Sequence, residues 1–138
     1  MSNTSSLIET FQTTHRFHKI GSYFLSPSQT VERTSLVTLS RRLPLVYAIF
    51  SDDTCRYIGK TIQGYGRPLN YHKNDVMTDV RDGILHDLMS GKEVTVYARS
   101  ENLLVAHEGF QINVIEGFEQ ALIQQYQPAW NNFVHRAA

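Results

Sequence analysis

Residues 45–61 read LVYAIFSDDTCRYIGKT. This run contains two apolar stretches rich in β-branched and aromatic residues, 45–50 and 55–59, separated by the polar tetrad 51–54. Stretches of this composition favour strands, and a short polar, acidic connection between them favours a tight turn. We therefore predict an antiparallel β-hairpin here.

The chain before this hairpin has a different composition. Residues 1–44 are rich in serine and threonine and contain only short apolar runs. This composition predicts a peripheral N-terminal extension with one short helix near residues 5–13. We accordingly divide the chain into the extension, residues 1–44, and a folded domain, residues 45–138.

The chain after the hairpin predicts helices and one further strand. Pro68 can open a helix, because its missing N–H would be unpaired at that position in any case. Asp75 is a candidate N-cap for a second helix, and Pro128 stops a third. The predicted elements are helices at 68–73, 75–90 and 111–126, and a strand at 93–98. Their order predicts a small α+β fold, with a three-stranded antiparallel sheet flanked by helices.

Composition excludes several classes of protein. The chain has 138 residues, which favours one domain, and its single cysteine, Cys55, excludes an internal disulfide and a cysteine metal cluster. No apolar run approaches the roughly 18 residues that a membrane span needs. The N-terminus lacks the basic start and apolar block of a signal peptide, so we expect a cytoplasmic protein without a membrane partner.

The net charge of zero hides an asymmetry between the two halves. Residues 1–73 carry nine cationic side chains and four acidic ones, whereas residues 74–138 carry four and nine. A basic half suggests an anionic partner, and phosphate binding draws on such a surplus. We therefore expect a nucleic-acid partner whose affinity falls steeply as salt rises.

A set of ordered landmarks lies between residues 45 and 132. Two tyrosine motifs are followed by an arginine, a further tyrosine, a glutamate on a later helix, and a Pro-x-Trp-Asn ending. The residues are Val46-Tyr47-Ala48, Tyr57-Ile58-Gly59-Lys60-Thr61, Arg67, Tyr71, Glu119 and Pro128-Ala129-Trp130-Asn131. In this order they resemble the GIY-YIG nuclease family, in which many members have histidine at the place of Tyr71. Valine and alanine in the first motif depart from the family pattern.

The resemblance implies a Mg²⁺-dependent endonuclease that hydrolyses phosphodiester bonds in double-stranded DNA, with Mn²⁺ as an alternative ion. The residue types suit this chemistry. Mg²⁺ binds through only one or two carboxylates, which makes Glu119 the candidate metal ligand. Arg67 offers a planar, permanently charged fork for the scissile phosphate. The resemblance implies catalytic roles for Tyr47, Tyr57, Lys60, Arg67, Tyr71, Glu119 and Asn131.

The general base remains open at this stage. The resemblance implies either Tyr47 or Tyr71 as the group that takes a proton from the attacking water. A free phenol titrates near pH 10, so this role needs a setting that lowers its pKa. We expect Lys60 and Arg67 to supply that positive setting.

Further cations are candidates for DNA contacts. Those in the extension are Arg16, Lys19, Arg41 and Arg42, and those beside the arginine motif are His72 and Lys73. The extension either contacts DNA or joins a subunit interface. A domain of this size offers little surface for sequence recognition, so we expect a homo-oligomer, a dimer or tetramer, on a specific and palindromic site.

Plainer interpretations remain for each residue taken singly. Tyr47 and Tyr57 are then half-buried sheet residues, and Lys60 and Arg67 are solvated charges. The altered first motif also keeps open a catalytically silent domain that binds nucleic acid or protein on the same fold. A phage enzyme and a restriction enzyme share the same chemistry and are not separated by these residues.

Overall fold

The computed structural model of the chain describes residues 6–73 and 78–131. The helices are α1 (Leu7–Thr13), α2 (Thr78–Met89) and α3 (Ile115–Tyr126). The strands are β1 (His18–Leu25), β2 (Val31–Ser35), β3 (Leu45–Ser51), β4 (Thr54–Thr61), β5 (Val94–Arg99), β6 (Leu104–His107) and β7 (Phe110–Asn113). No helix within the described ranges is both long and apolar enough to span a bilayer.

A five-stranded antiparallel sheet with the order β2-β1-β5-β3-β4 forms the centre of the molecule. The α+β class is confirmed, and the three expected strands are neighbours in the order β5-β3-β4. The sheet is wider than the three strands expected, because residues 18–35 add β1 and β2 to its other side. Residues assigned to a peripheral extension therefore complete the sheet.

Helices cover both faces of this sheet. Alternate side chains of β3 and β5 enter two separate apolar clusters, since successive residues of a strand point to opposite faces. One cluster includes Val80 and Ile84 of α2. The other includes Phe11 of α1 and Leu122 of α3. All seven residues of β3 are buried, as expected for a strand packed on both faces.

The predicted hairpin is confirmed as β3 and β4. Its turn uses Asp52 with a positive φ of 50°, a conformation that aspartate tolerates better than most residues. The adjacent Asp53 carboxylate accepts hydrogen bonds from the amides of Leu7 and Ile8, both at 2.8 Å. Those amides are unpaired donors at the start of α1, so the turn fastens the predicted first helix to the sheet.

The structure corrects two of the predicted helices. Residues 68–73 form turns, because the carbonyls of Pro68 and Leu69 accept hydrogen bonds from side chains of β1 and β2. Residues 110–113 form β7 rather than the start of α3. Its hairpin with β6 turns at Glu108 and Gly109, which both have positive φ. The predicted N-cap Asp75 lies outside the described residues, and α2 is observed from Thr78.

Candidate active site

Three tyrosine rings converge on the face of the sheet that α2 covers. Tyr47 lies on β3, Tyr57 on β4, and Tyr71 on the turn segment after β4. The centroids of Tyr47 and Tyr57 are 6.1 Å apart, those of Tyr47 and Tyr71 6.3 Å, and those of Tyr57 and Tyr71 6.2 Å. The hydroxyls of Tyr47 and Tyr71 share a hydrogen bond of 2.5 Å. Three predicted site residues thus form one cluster, which we call the tyrosine cluster.

The phenols of the tyrosine cluster are protonated at neutral pH. Burial raises the pKa of Tyr47, Tyr57 and Tyr71, and the positive charge of Arg67 partly opposes that rise at each of them. Arg67 thus acts in the expected direction, but the expected net lowering of a phenol pKa is wrong, because desolvation of the phenolate outweighs the attraction of Arg67. For Tyr71, hydrogen bonds to Tyr47 and Tyr57 also lower the pKa.

Gly59 lets the Tyr47 ring cross the neighbouring strand. Tyr47 and Gly59 are direct partners in the β3–β4 register. A Cβ at position 59 would lie 2.6 Å from both Cζ and the hydroxyl oxygen of Tyr47, and 2.9 Å from Cε2 of Tyr57. The glycine of the second motif therefore has a packing role in the sheet.

Glu119 brings a carboxylate to the edge strand β4. It lies on α3 with 7% exposure, and its Oε1 is 3.5 Å from Nζ of Lys60 on β4. Burial raises the pKa of Glu119, and the Lys60 charge opposes that rise. The Glu119 charge in turn contributes to the raised pKa of Tyr57, so the carboxylate and the phenol act on each other.

Asn131 acts on the backbone of the second tyrosine motif. Its Nδ2 donates to the carbonyl of Ile58 at 2.8 Å, and its Oδ1 accepts from the amide of Ile58 at 2.9 Å. β4 is an edge strand, and this side chain occupies the position of a further strand beside it. Asn131 thus fixes the backbone of the residue between Tyr57 and Gly59.

Two open clefts meet at Arg67. The first has a volume of about 440 Å³, and the second about 410 Å³. Gln63 and Arg67 line both of them. The first cleft is lined by Lys60, Thr61, Ile62, Gln63, Arg67 and Ile115. The second also contains Arg42 and Lys73, so three cationic side chains surround it. A negatively charged chain can follow this continuous basic surface.

Comparisons with known proteins show which fold this is. A glutamate-to-alanine mutant of bacteriophage T4 EndoII matches 90% of this chain and 98% of its own, with a TM-score of 0.69 and 23% sequence identity. This chain has the fold of EndoII. The restriction endonuclease HPY188I, solved with product DNA, is more distant, with a TM-score of 0.47, 15% identity, and coverage of 91% and 83%. No family model and no curated protein matches the sequence.

The remaining candidates for DNA contact lie at different distances from these clefts. Arg41 is exposed beside Arg42, and its carbonyl approaches Gly64. Arg16 and Lys19 are exposed near the start of β1, and neither lines the two basic clefts. His72 is half-buried and lines another cavity, with Gln29 and Arg81. The structure thus brings Arg42 and Lys73 to Arg67, and does not bring His72, Arg16 or Lys19 there.

Two residues of the site were missed by the sequence analysis. Tyr23 of β1 and Arg33 of β2 contact the backbone of the segment that carries Arg67 and Tyr71. A signal for them exists, because residues 18–25 and 31–35 are rich in β-branched and aromatic residues and flank a Pro-Ser-Gln turn. Reading that pattern as a hairpin would have placed both side chains in the sheet.

The available donors fit a magnesium ion better than a structural metal. Within the described ranges, no three histidine, cysteine or acidic side chains lie close enough to form a metal cluster. Glu119 is a single carboxylate 3.5 Å from Lys60, and Lys60 lines the first open cleft. Mg²⁺ typically keeps several waters and takes one or two carboxylates, and Mn²⁺ shares its preference for oxygen. Glu119 therefore suits either ion.

Proposed function

We propose that this protein is a DNA endonuclease that hydrolyses phosphodiester bonds in double-stranded DNA through a site of the GIY-YIG type. One observation carries the proposal: the rings of Tyr47, Tyr57 and Tyr71 meet within reach of the charge of Arg67, which lines both basic clefts. The charge of Glu119 acts on Tyr57 of the same cluster. The fold shared with EndoII supports it. Nucleases need a proton acceptor and cationic contacts to the phosphate, and both have candidates here.

Arg67 is the proposed phosphate ligand. Its side chain is exposed and lines both clefts, so a phosphate in either cleft can reach it. A guanidinium can hold two phosphate oxygens at once and stays charged at any physiological pH. Lys60, which also lines the first cleft, adds a second charge. Together they stabilise the negative charge that grows on the phosphoryl oxygens during hydrolysis.

Tyr71 is the proposed proton acceptor. Its hydroxyl hydrogen-bonds with Tyr47 and Tyr57, and Arg67 favours its ionised form. A phenolate at Tyr71 would therefore be stabilised by two phenol donors and one guanidinium. Because its pKa is raised, Tyr71 is protonated in the free protein. A metal cation that binds together with the substrate would favour the ionised form of this phenol. Tyr47 remains the alternative acceptor, because the two hydroxyls share one hydrogen bond.

The proposed cofactor is Mg²⁺, with Mn²⁺ as a substitute. Glu119 would hold it together with water molecules. When bound, such an ion neutralises charge on the phosphate and polarises it for attack. In the free protein, the positive charge of Lys60 partly neutralises the buried carboxylate of Glu119. A bound metal cation would take over this role.

The proposed DNA path continues from Arg67 to Arg42 and Lys73. These cations line the second cleft, and phosphates on either side of the cleavage point would lie against them. Arg16, Lys19, Arg41 and His72 are proposed as outer DNA contacts. We further propose sequence-specific cleavage by a homo-oligomer, a dimer or tetramer, in the cytoplasm of a bacterial cell, either as a phage enzyme or as a restriction enzyme.

Plasmid cleavage tests this proposal. Supercoiled plasmids of several sequences, unmodified at their bases, are incubated with the purified protein and Mg²⁺, Mn²⁺ or EDTA, and nicked and linear products are separated on agarose. We expect products with either metal and none with EDTA. DNA binding is measured in parallel by mobility shift. Binding without any cleavage product would instead favour a silent binding module and would contradict the enzymatic proposal.

A further inference from the structure

The segment Pro68–Tyr71 depends on side chains of the N-terminal strands. Tyr23 of β1 is buried, and its hydroxyl donates to the carbonyl of Pro68 at 2.7 Å. The same hydroxyl accepts a hydrogen bond from the amide of Tyr71 at 3.0 Å. One side chain thus satisfies a backbone acceptor and a backbone donor on either side of a turn. Burial raises the pKa of Tyr23, so its hydroxyl stays protonated and can donate this hydrogen bond.

Arg33 of β2 holds the residues between those two positions. Its Nη1 donates to the carbonyl of Leu69 at 2.8 Å, and it also bonds with Oδ1 of Asn70. Tyr23 and Arg33 are direct partners in the β1–β2 register, so both side chains leave the same face of the sheet. We call this pair the clamp. It contacts each residue from Pro68 to Tyr71.

Close packing of Leu69 against Gly21 also supports the segment that the clamp holds. Gly21 lies two residues before Tyr23 and therefore faces the same side of the sheet. A Cβ at Gly21 would lie 2.9 Å from Cδ2 of Leu69 and would also collide with the Thr34 carbonyl. The absence of a side chain lets Leu69, which is fully buried, rest directly on β1.

The segment held by the clamp connects two residues of the proposed site. Arg67 precedes it and Tyr71 ends it. The segment is neither helix nor strand, so its backbone groups lack the regular partners of a ladder. Two backbone hydrogen bonds lie at its ends. The amide of Arg67 donates to the carbonyl of Gly64 at 3.3 Å, and the amide of Lys73 donates to the carbonyl of Asn70 at 3.1 Å. The position of the Tyr71 hydroxyl therefore depends on the clamp.

We propose that Tyr23 and Arg33 are positioning residues of the nuclease site, which act by fixing Tyr71 against Tyr47 and by holding the segment that directly follows Arg67. This inference rests on the proposed function. It gives residues 1–44 a role within each subunit, in addition to any contact with DNA or a second subunit. Misplacing a reacting group by about 1 Å costs on the order of 100-fold in rate, so loss of the clamp should appear in the chemical step.

The test uses the full chain with Tyr23→Phe, which removes one hydroxyl and keeps the ring. Two quantities are measured. Single-turnover cleavage over a range of protein concentrations separates the maximal rate from the half-saturating concentration. Amide hydrogen exchange by NMR reports whether the Tyr71 amide has lost its partner, independently of any activity. Tyr97→Phe is the matched control, because Tyr97 is also a buried phenol of the sheet but packs in the cluster on the opposite face.

We expect Tyr23→Phe to lower the maximal rate by about 10- to 100-fold, with half-saturation within about twofold of wild type. The Tyr71 amide should exchange at least about tenfold faster, since it loses its acceptor. Tyr97→Phe should change neither quantity. Arg33→Lys, which retains one donor, should recover part of the rate that Arg33→Ala loses.

Two results would overturn the inference. One is unchanged exchange at Tyr71 in Tyr23→Phe, and the other is a rate loss no larger than that of Tyr97→Phe. A wild-type chain that cleaves no DNA contradicts the proposed function, and with it the catalytic purpose of the clamp. Exchange at Tyr71 then still decides whether the clamp holds the segment, so the two failures are distinguishable.

Discussion

The ring of Tyr47 lies directly against the α-carbon of Gly59 on the neighbouring strand. No side chain larger than hydrogen fits between them, since a Cβ would come within 2.6 Å of the Tyr47 ring. The two tyrosine motifs are thus joined by a contact as well as by their pairing. The glycine sets how deeply the Tyr47 hydroxyl reaches towards Tyr71, with which it shares a hydrogen bond.

Gly59→Ala should damage both stability and activity. Tyr47 is 2% exposed and cannot swing away, so the added methyl group strains the core by about 1–3 kcal/mol of unfolding free energy. Gly117→Ala is the control, because a Cβ at that position on α3 would meet no other part of the described chain within 4 Å, and alanine favours a helix by about 0.5–1 kcal/mol. Urea unfolding gives the unfolding free energy of both variants. Equal stability of the two variants would contradict the packing role of Gly59.

Asn131→Ala should destabilise the edge of the sheet. The change leaves the amide and carbonyl of Ile58 without their side-chain partner in a buried place, at about 1–3 kcal/mol of unfolding free energy. Asn131→Asp keeps an acceptor for the amide but sets a carboxylate against the carbonyl, so we expect a similar loss. Urea unfolding of both variants checks this. An unchanged free energy in either would show that the paired contact contributes little.

Arg67→Lys should separate binding from chemistry. Lysine keeps the charge but cannot hold two phosphate oxygens, so we expect the cleavage rate at saturating DNA to fall by about 100-fold. Affinity should change little, and its dependence on salt should stay as in wild type. Arg67→Ala should reduce that salt dependence by about one phosphate contact. A cleavage rate for Arg67→Lys equal to that of wild type would remove Arg67 from the proposed phosphate site.

His15 should make the protein less stable in mild acid. Burial, followed by the charge of Arg99, lowers the pKa of His15 below the usual 6.5, and its Nε2 hydrogen-bonds with the Tyr126 hydroxyl at 2.6 Å. The folded protein therefore binds this proton less readily than the unfolded chain. The associated stability is complete above pH 6.5 and falls as the pH drops towards the folded pKa.

Unfolding free energies between pH 8 and pH 5 test that expectation. His15→Gln can still bond with Tyr126 but does not titrate, so its stability should fall less over this range. His72 also has a lowered pKa and leaves a residual slope. A slope identical to that of wild type would show that His15 does not contribute.

Local sequence signals were sufficient for the hairpin at the centre of the fold. Residues 45–61 carry two apolar strands and a polar turn, and the structure confirms both strands. The end of α3 was equally readable, because Pro128 follows and Gln127 adopts the left-handed conformation that closes the helix. In each case the deciding information lies within a few residues.

Long-range contacts decided the parts that the sequence analysis missed. Pro68 is a good first residue for a helix, yet Tyr23 and Arg33 take up the carbonyls that a helix would have used. These partners lie more than thirty positions away along the chain. The raised pKa values of the phenols have the same origin. Cationic neighbours were foreseeable, whereas the depth of burial depends on how α2 and the turn segment cover the sheet.

Single-turnover cleavage of plasmid DNA by Glu119→Gln tests the central claim most directly. The substitution keeps the shape of the side chain but removes its charge. Burial raises the pKa of Glu119, so the carboxylate costs stability at neutral pH and the variant should unfold no earlier than wild type. Glu116→Gln, an exposed site one turn earlier on α3, is the matched control.

The two glutamine variants should differ sharply. We predict that Glu119→Gln cleaves at least about 100-fold more slowly than wild type at saturating Mg²⁺, while it binds DNA with similar affinity and Glu116→Gln stays within about twofold. Cleavage by Glu119→Gln at the wild-type rate would contradict the account, because the buried carboxylate would then have no part in the reaction.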